Sequence, residues 1–191
     1  VKVYRKDNQL LDIIRQSPEL VETIRVCSEI KLPNYYLAGG AITQCIWNYL
    51  SERPLLENVK DLDVVYFEPK THSSSENNYA VIASQRVSHH LPIDIKNQAN
   101  IHTWYERKFG QRITPYECVE VGIDSWLPAF AVGVRYHKRT MNVYAPFGLE
   151  DMFNMIVRPN KRAMSKTNYD LMCDGYSKRW PQLEVIGWDD I

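Results

Sequence analysis

From residue 10 to residue 30 the apolar positions Leu10, Leu11, Ile13 and Ile14, then Leu20, Val21, Ile24 and Cys27, recur at helical spacing, with a break at Ser17-Pro18. The pattern predicts two short helices. Ser17 suits the N-cap of the second and Pro18 its first position, while Glu19 and Glu22 set negative charge near the positive end of the helix dipole. Lys31-Leu32-Pro33-Asn34 breaks the helix, and Tyr35-Tyr36-Leu37-Ala38 reads as a short strand running into Gly39-Gly40. Residues 41–50 return to helical period with Ile42, Cys45, Ile46 and Leu50 on one face. Residues 59–67 alternate instead, Leu62, Val64 and Tyr66 against Asp61, Asp63 and Val65, which predicts a strand.

Further along, a polar, serine-rich loop over 71–78 leads into a helix from about 76 to 87. Residues 91–96 form a second candidate strand and 98–109 a helix bearing His102, Trp104 and Tyr105. Residues 129–136 and 141–144 pair as a hairpin across His137-Lys138-Arg139-Thr140, followed by helices over 149–156 and 167–179 and a Trp-rich tail.

At 191 residues and 45% hydrophobic content, the chain can bury one substantial core, and one compact unit is expected. Lys plus Arg and Asp plus Glu both number 23, so bulk charge gives no attraction to a long nucleic acid, and none is favoured as a partner. Cys27, Cys45, Cys118 and Cys173 form no C-x-x-C pair, which argues against a zinc or redox motif. With no run long enough to span a bilayer and no apolar stretch in Val-Lys-Val-Tyr-Arg-Lys, no membrane partner is expected and the chain reads as cytoplasmic.

The chemistry concentrates in Lys60-Asp61-Leu62-Asp63-Val64-Val65-Tyr66-Phe67. In a strand, Asp61 and Asp63 project from one side, about 7 Å apart at Cα, while Leu62 and Val64 bury the other. Like charges so close repel unless a cation intervenes, and Mg²⁺, or Mn²⁺ in its place, is the hard ion such oxygens suit. Asp94 sits on the second predicted strand. If that strand lies beside the first, three acids can hold two ions about 3.5–4 Å apart for in-line displacement at phosphorus, with Asp94 the natural general base. Gly39-Gly40 can take positive φ, let backbone amides approach a phosphate, and start a helix whose positive end faces it.

Ala38-Gly39-Gly40-Ala41-Ile42 followed by that D-x-D segment resembles the glycine turn and catalytic carboxylates of the polymerase-β-like nucleotidyltransferase superfamily. Together with Val132-Gly133-Val134-Arg135, Ile95-Lys96-Asn97-Gln98-Ala99-Asn100-Ile101-His102 and Ala145-Pro146-Phe147-Gly148-Leu149-Glu150-Asp151-Met152-Phe153, it is similar to a family of bacterial nucleotidyltransferase-like proteins of unestablished substrate, from about Leu10 to Pro181. The resemblance implies an α+β fold, a mixed β-sheet flanked by helices, with a C-terminal hairpin and helix elaboration from about 111–191. It also implies a divalent metal, an NTP donor and an acceptor hydroxyl on a small molecule, a protein or an RNA end. Related enzymes, CCA-adding enzymes among them, commonly carry Arg after the turn, where this chain has Ala41-Ile42-Thr43-Gln44.

Around this centre, Lys96 and Asn97 follow Asp94 directly and are candidates for phosphate or acceptor contact. Arg135 and Arg158 are candidate triphosphate clamps because guanidinium pairs with phosphate through two N–H groups. His102, Trp104 and Tyr105 can line an acceptor pocket, with Trp104 read as core. Adjacent His89-His90 point in different directions and are set aside. Three functions remain open: transfer of a nucleoside monophosphate from an NTP to a hydroxyl with release of pyrophosphate; a non-catalytic nucleotide-binding or regulatory module that keeps the fold; and, least favoured given the glycine turn and Asp94, a structural or interaction protein with a fortuitous D-x-D.

Overall fold

The computed structural model describes residues 2–70 and 74–190. The serine-rich loop expected over 71–78 therefore lies partly outside the described residues. Two helices, α1 (Lys2–Ile14) and α2 (Pro18–Glu29), open the chain, and Ser17 caps the second through a long 3.5 Å contact from Leu20 N. Strand β1 (Tyr36–Ala38) turns at Gly39 into α3 (Gly40–Leu50), and β2 (Leu62–Tyr66) follows. Helix α4 (Ser74–Arg86), strand β3 (Ile93–Asn97), a 3-10 turn over Gln98–Asn100 and α5 (His102–Phe109) complete the first half.

The second half runs α6 (Val119–Asp124), β4 (Gly133–His137), β5 (Thr140–Tyr144), α7 (Glu150–Phe153), β6 (Ile156–Val157), α8 (Lys166–Arg179) and β7 (Glu184–Val185). Five strands form one mixed sheet in the order β3-β2-β1-β4-β5, with only β2 and β3 parallel, and β6 and β7 form a two-stranded parallel pair. The β4–β5 hairpin turns on Lys138 and Arg139, both at positive φ, the conformation that matches the twist of two-residue hairpins.

Alternation divides the sheet into two faces. Leu37, Leu62, Val64, Tyr66, Ile93, Ile95, Val134 and Met141 point to one side and pack under α1, α2 and α3 with Leu10, Ile14, Leu20, Ile24, Ile42 and Ile46. The opposite face carries a smaller cluster of Tyr36, Ala38, Val65, Ala131, Val119 and Ile123, roofed by α6. A third cluster docks α8 onto the outer side of α3, where Trp47, Phe130, Tyr169, Cys173 and Trp180 are buried together.

Pattern reading missed α6: its six residues include Gly122 and are too few to display a period. It also made one helix of 98–109 and one of 149–156, where the structure has a 3-10 turn ahead of α5 and a strand after α7. The expected strand over 59–67 begins at Leu62, so Asp61 lies just before the strand and not within it.

Candidate active site

Two glycines allow the backbone to converge where the strands end. Gly39 has φ +67, ψ −129, a region closed to side chains, and a Cβ there would stand 3.1 Å from the Trp126 ring. It caps α3 and anchors to β4, its N–H donating to Val132 O at 3.0 Å. On β4, a Cβ on Gly133 would fall 2.8–2.9 Å from Tyr36, so only glycine lets that ring lie across the strand.

The register brings the acids together. Asp63 and Asp94 are direct partners in the parallel β2–β3 pair, so both side chains leave the sheet on the face opposite the helical core. Continuing the antiparallel β1–β2 register past Leu37 and Val64 sets Ala38 level with Asp63, one residue before the glycine turn. Asp61, exposed, stands close enough to act electrostatically on Asp63. Burial, then repulsion from Asp61 and Asp94, pushes the Asp63 carboxyl up from 3.8 to about 7, against the opposing pull of Lys96 and Lys108.

The surrounding cations are arranged unevenly. Lys96 Nζ pairs with Asp94 Oδ1 at 2.6 Å and also faces Glu76, whose carboxyl is raised mainly by burial. Lys108, on α5, lies over the Trp104 and Phe109 rings at 5.5 and 5.2 Å. No residue of α5 is fully buried, which corrects the reading of Trp104 as core: α5 has its aromatic side chains half-exposed on a ledge whose lysine faces Asp63.

Of the other sequence candidates, Asn97 is buried and its amide is engaged locally, accepting from Glu68 N and Ala99 N and donating to Glu68 O. Arg135 stacks over Tyr36 at 4.5 Å, on the α6-roofed part of the face. Arg158 engages both oxygens of Asp151 through Nε and Nη2. The structure thus gathers Gly39, Gly40, Asp61, Asp63, Asp94 and Lys96, while Asn97, Arg135 and Arg158 are engaged with protein partners.

Three residues that sequence reasoning passed over do reach the glycine turn. Arg179 Nη1 donates to Gln44 Oε1 at 2.7 Å, and the Gln44 amide nitrogen lies 3.3 Å from the position of a Cβ on Gly40. The Tyr176 hydroxyl lies 4.0 Å from that same position and feels the charges of Asp63 and Asp61. The Gln44–Arg179 contact spans 135 residues, so nothing local in the sequence announces it. The nearest signal is the Tyr176, Arg179 and Trp180 spacing, one face at the end of α8.

The donor set suits a hard divalent ion: carboxylate oxygens only, one of them half-buried between two acidic neighbours. Among the described residues no group of three or more His, Cys, Asp or Glu forms a ready metal cage, and Asp94 is turned onto Lys96. By their chemistry Asp61 and Asp63 would hold such an ion, and Asp94 would join them on releasing Lys96.

Compared with solved structures, the chain matches an NMR structure described as revealing a CCA-adding enzyme head domain, at a TM-score of 0.76 and 21% identity, over 94% of this chain and 95% of that one. The shared architecture is that of a nucleotidyltransferase head domain. A nucleotidyltransferase family model matches residues 25–185, a span that contains the glycine turn, the three aspartates and α8, and the chain belongs to that family. No curated protein matches the chain. Among the described residues no helix is long and apolar enough to cross a membrane.

Proposed function

We propose that this protein transfers a nucleoside monophosphate from an NTP to a hydroxyl acceptor, with Asp61, Asp63 and Asp94 as the metal-binding carboxylates and Mg²⁺, or Mn²⁺, as the ion. The observation that carries the reading is the Asp63–Asp94 pairing beside the Gly39-Gly40 turn, with the Asp63 pKa pushed up to about 7 by burial and its acidic neighbours. When bound, the divalent ion supplies charge neutralisation at the phosphates and a lower pKa for the attacking hydroxyl.

The chain's own groups account for the rest. The N–H groups of Gly40 and Ala41, which open α3, orient the donor's phosphates, while the Gly39 N–H stays bonded to Val132 O. Lys96 and Lys108 offset the negative charge that the carboxylates and triphosphate bring together. Asp94 accepts the proton of the acceptor hydroxyl as its oxygen bonds to the α-phosphorus and the bond to pyrophosphate breaks. The half-exposed aromatic ledge of α5 supports an acceptor site on the same face.

The test is pyrophosphate release from each of the four NTPs, with Mg²⁺ or Mn²⁺ and a panel of small-molecule, protein and RNA-end acceptors, for the native chain and an Asp61→Ala/Asp63→Ala variant. Metal-dependent release lost in the variant supports the reading, and release that survives the double change rejects the site. The Lys96–Asp94 pair favours a second reading, a non-catalytic nucleotide-binding module. Nucleotide binding without turnover on any acceptor selects it.

A further inference from the structure

The end of α8 bears on how the donor's phosphates are held, an inference that rests on the proposed function and deepens it. The Arg179 guanidinium carbon lies 4.7 Å from the ring centroids of both Tyr176 and Trp180. Those rings are themselves fixed. Tyr176 packs on Phe130 at 4.9 Å and edge-on to Trp47 at 5.6 Å, and Trp180 is buried with its indole N–H donating to Asn48 Oδ1 at 3.2 Å. The backbone of the same residue is tied down, since Arg53 Nη1 donates to Arg179 O at 2.7 Å. A long, flexible side chain is thereby held in one plane before any ligand arrives, which removes much of the ordering cost of a binding contact.

Arg179 differs in its charge balance from Arg158 and Lys96. Arg158 is neutralised by Asp151, and Lys96 by Asp94. Arg179 has no carboxylate partner among the described residues, and its Nη1 contact is to the neutral amide of Gln44. It therefore keeps a full positive charge and further N–H groups, half-exposed, beside the first turn of α3. Tyr176 completes the arrangement, its ring stacked on the guanidinium and its hydroxyl within electrostatic reach of Asp61 and Asp63.

We propose that Arg179 is the clamp for the donor's phosphate chain. On nucleotide binding its guanidinium engages phosphate oxygens through two parallel N–H groups, releasing or sharing Gln44, while the Tyr176 and Trp180 rings keep its plane fixed. A helix from the end of the chain thus provides the cation absent from Ala41-Ile42-Thr43-Gln44.

Titration calorimetry of inorganic tripolyphosphate and of each NTP, with Mg²⁺, tests the assignment on the full chain and on R179Q, R179K, Q44E and K178Q. The expected result is that R179Q binds tripolyphosphate, and whichever NTP the native chain takes, at least about tenfold more weakly. R179K falls between, since a point charge lacks the planar fork. Q44E keeps the aromatic bed but gives Arg179 a carboxylate partner, and binds as weakly as R179Q; K178Q, on the exposed side of α8, binds as the native chain does. Where R179Q melts too low to titrate, Q44E decides. Native-like binding by folded R179Q, or by Q44E in its place, overturns the clamp and leaves the proposed function standing. A native chain that binds neither tripolyphosphate nor any NTP overturns both.

Discussion

The two faces of the central sheet are made by the same strands and behave oppositely. Toward α1–α3, every inward position of β1 and β2 is hydrocarbon or aromatic and buried, so that face supplies the stability. Toward solvent, the alternate positions at the carboxylate end are Asp63, Asp94 and Lys96, with Asp61 beside them, and α6 roofs only the neighbouring part. The period of two that places Leu62 and Val64 in the core also places Asp63 outside it, so one register serves both purposes. The packed face can bear an open face whose charges repel one another, because repulsion costs little where a cation or a substrate is to be received.

The comparison can be tested by substitutions on each side. The largest effect is expected on the open face. Asp61→Ala/Asp63→Ala lowers pyrophosphate release by about a hundredfold or more, as expected for loss of several kcal/mol of transition-state charge stabilisation. The melting temperature of the metal-free variant should not fall. Next, Leu37→Ala, on the neighbouring strand opposite Val64 but on the packed face, costs about 2–5 kcal/mol and lowers the melting temperature by roughly 4–20 °C, measured by calorimetry. A Leu37 variant that melts like the native protein would break the assignment of stability to that face.

Gly39→Ala comes third. It forces a side chain into a positive-φ conformation against Trp126 and costs about 1–3 kcal/mol, read in urea unfolding. The fourth test is pH-dependent. Because Asp63 titrates near 7 when folded and near 3.8 when unfolded, the folded protein holds its proton more tightly. The associated stability is complete below about pH 4 and is lost as pH rises through 7. Asp63→Asn, which cannot ionise, should therefore melt several degrees above the metal-free native chain at pH 8, with no gain at pH 4. An equal gain at both pH values would show that charge is not the cause. The smallest effect is that of Lys96→Gln, whose half-exposed pair with Asp94 contributes at most about 1 kcal/mol.

Legibility in the sequence followed the same division. Helices α1–α3, strand β2 and the hairpin were readable because their apolar periods run long enough to count. The two strands carrying Asp63 and Asp94 were readable, but their side-by-side placement stood only as a condition until the β2–β3 pairing supplied it. Helix α6, the 3-10 turn ahead of α5 and the β6–β7 pair were not readable, since each is too short to show a period and the strand pair also joins segments distant in the chain. The arginines show the limit most sharply. Arg135 and Arg158 attract notice by their neighbours in sequence, yet Tyr36 and Asp151 occupy them, whereas Arg179 reaches Gln44 only because α8 packs on Trp47.

The late position of α8 also orders events during synthesis. Once the ribosome has released residues through Tyr144, all five strands of the sheet exist and the acids can line up, but Tyr176 and Arg179 are still to come. A nascent chain that stops short of α8 would thus have the sheet and its acids without Tyr176 and Arg179 beside the glycine turn.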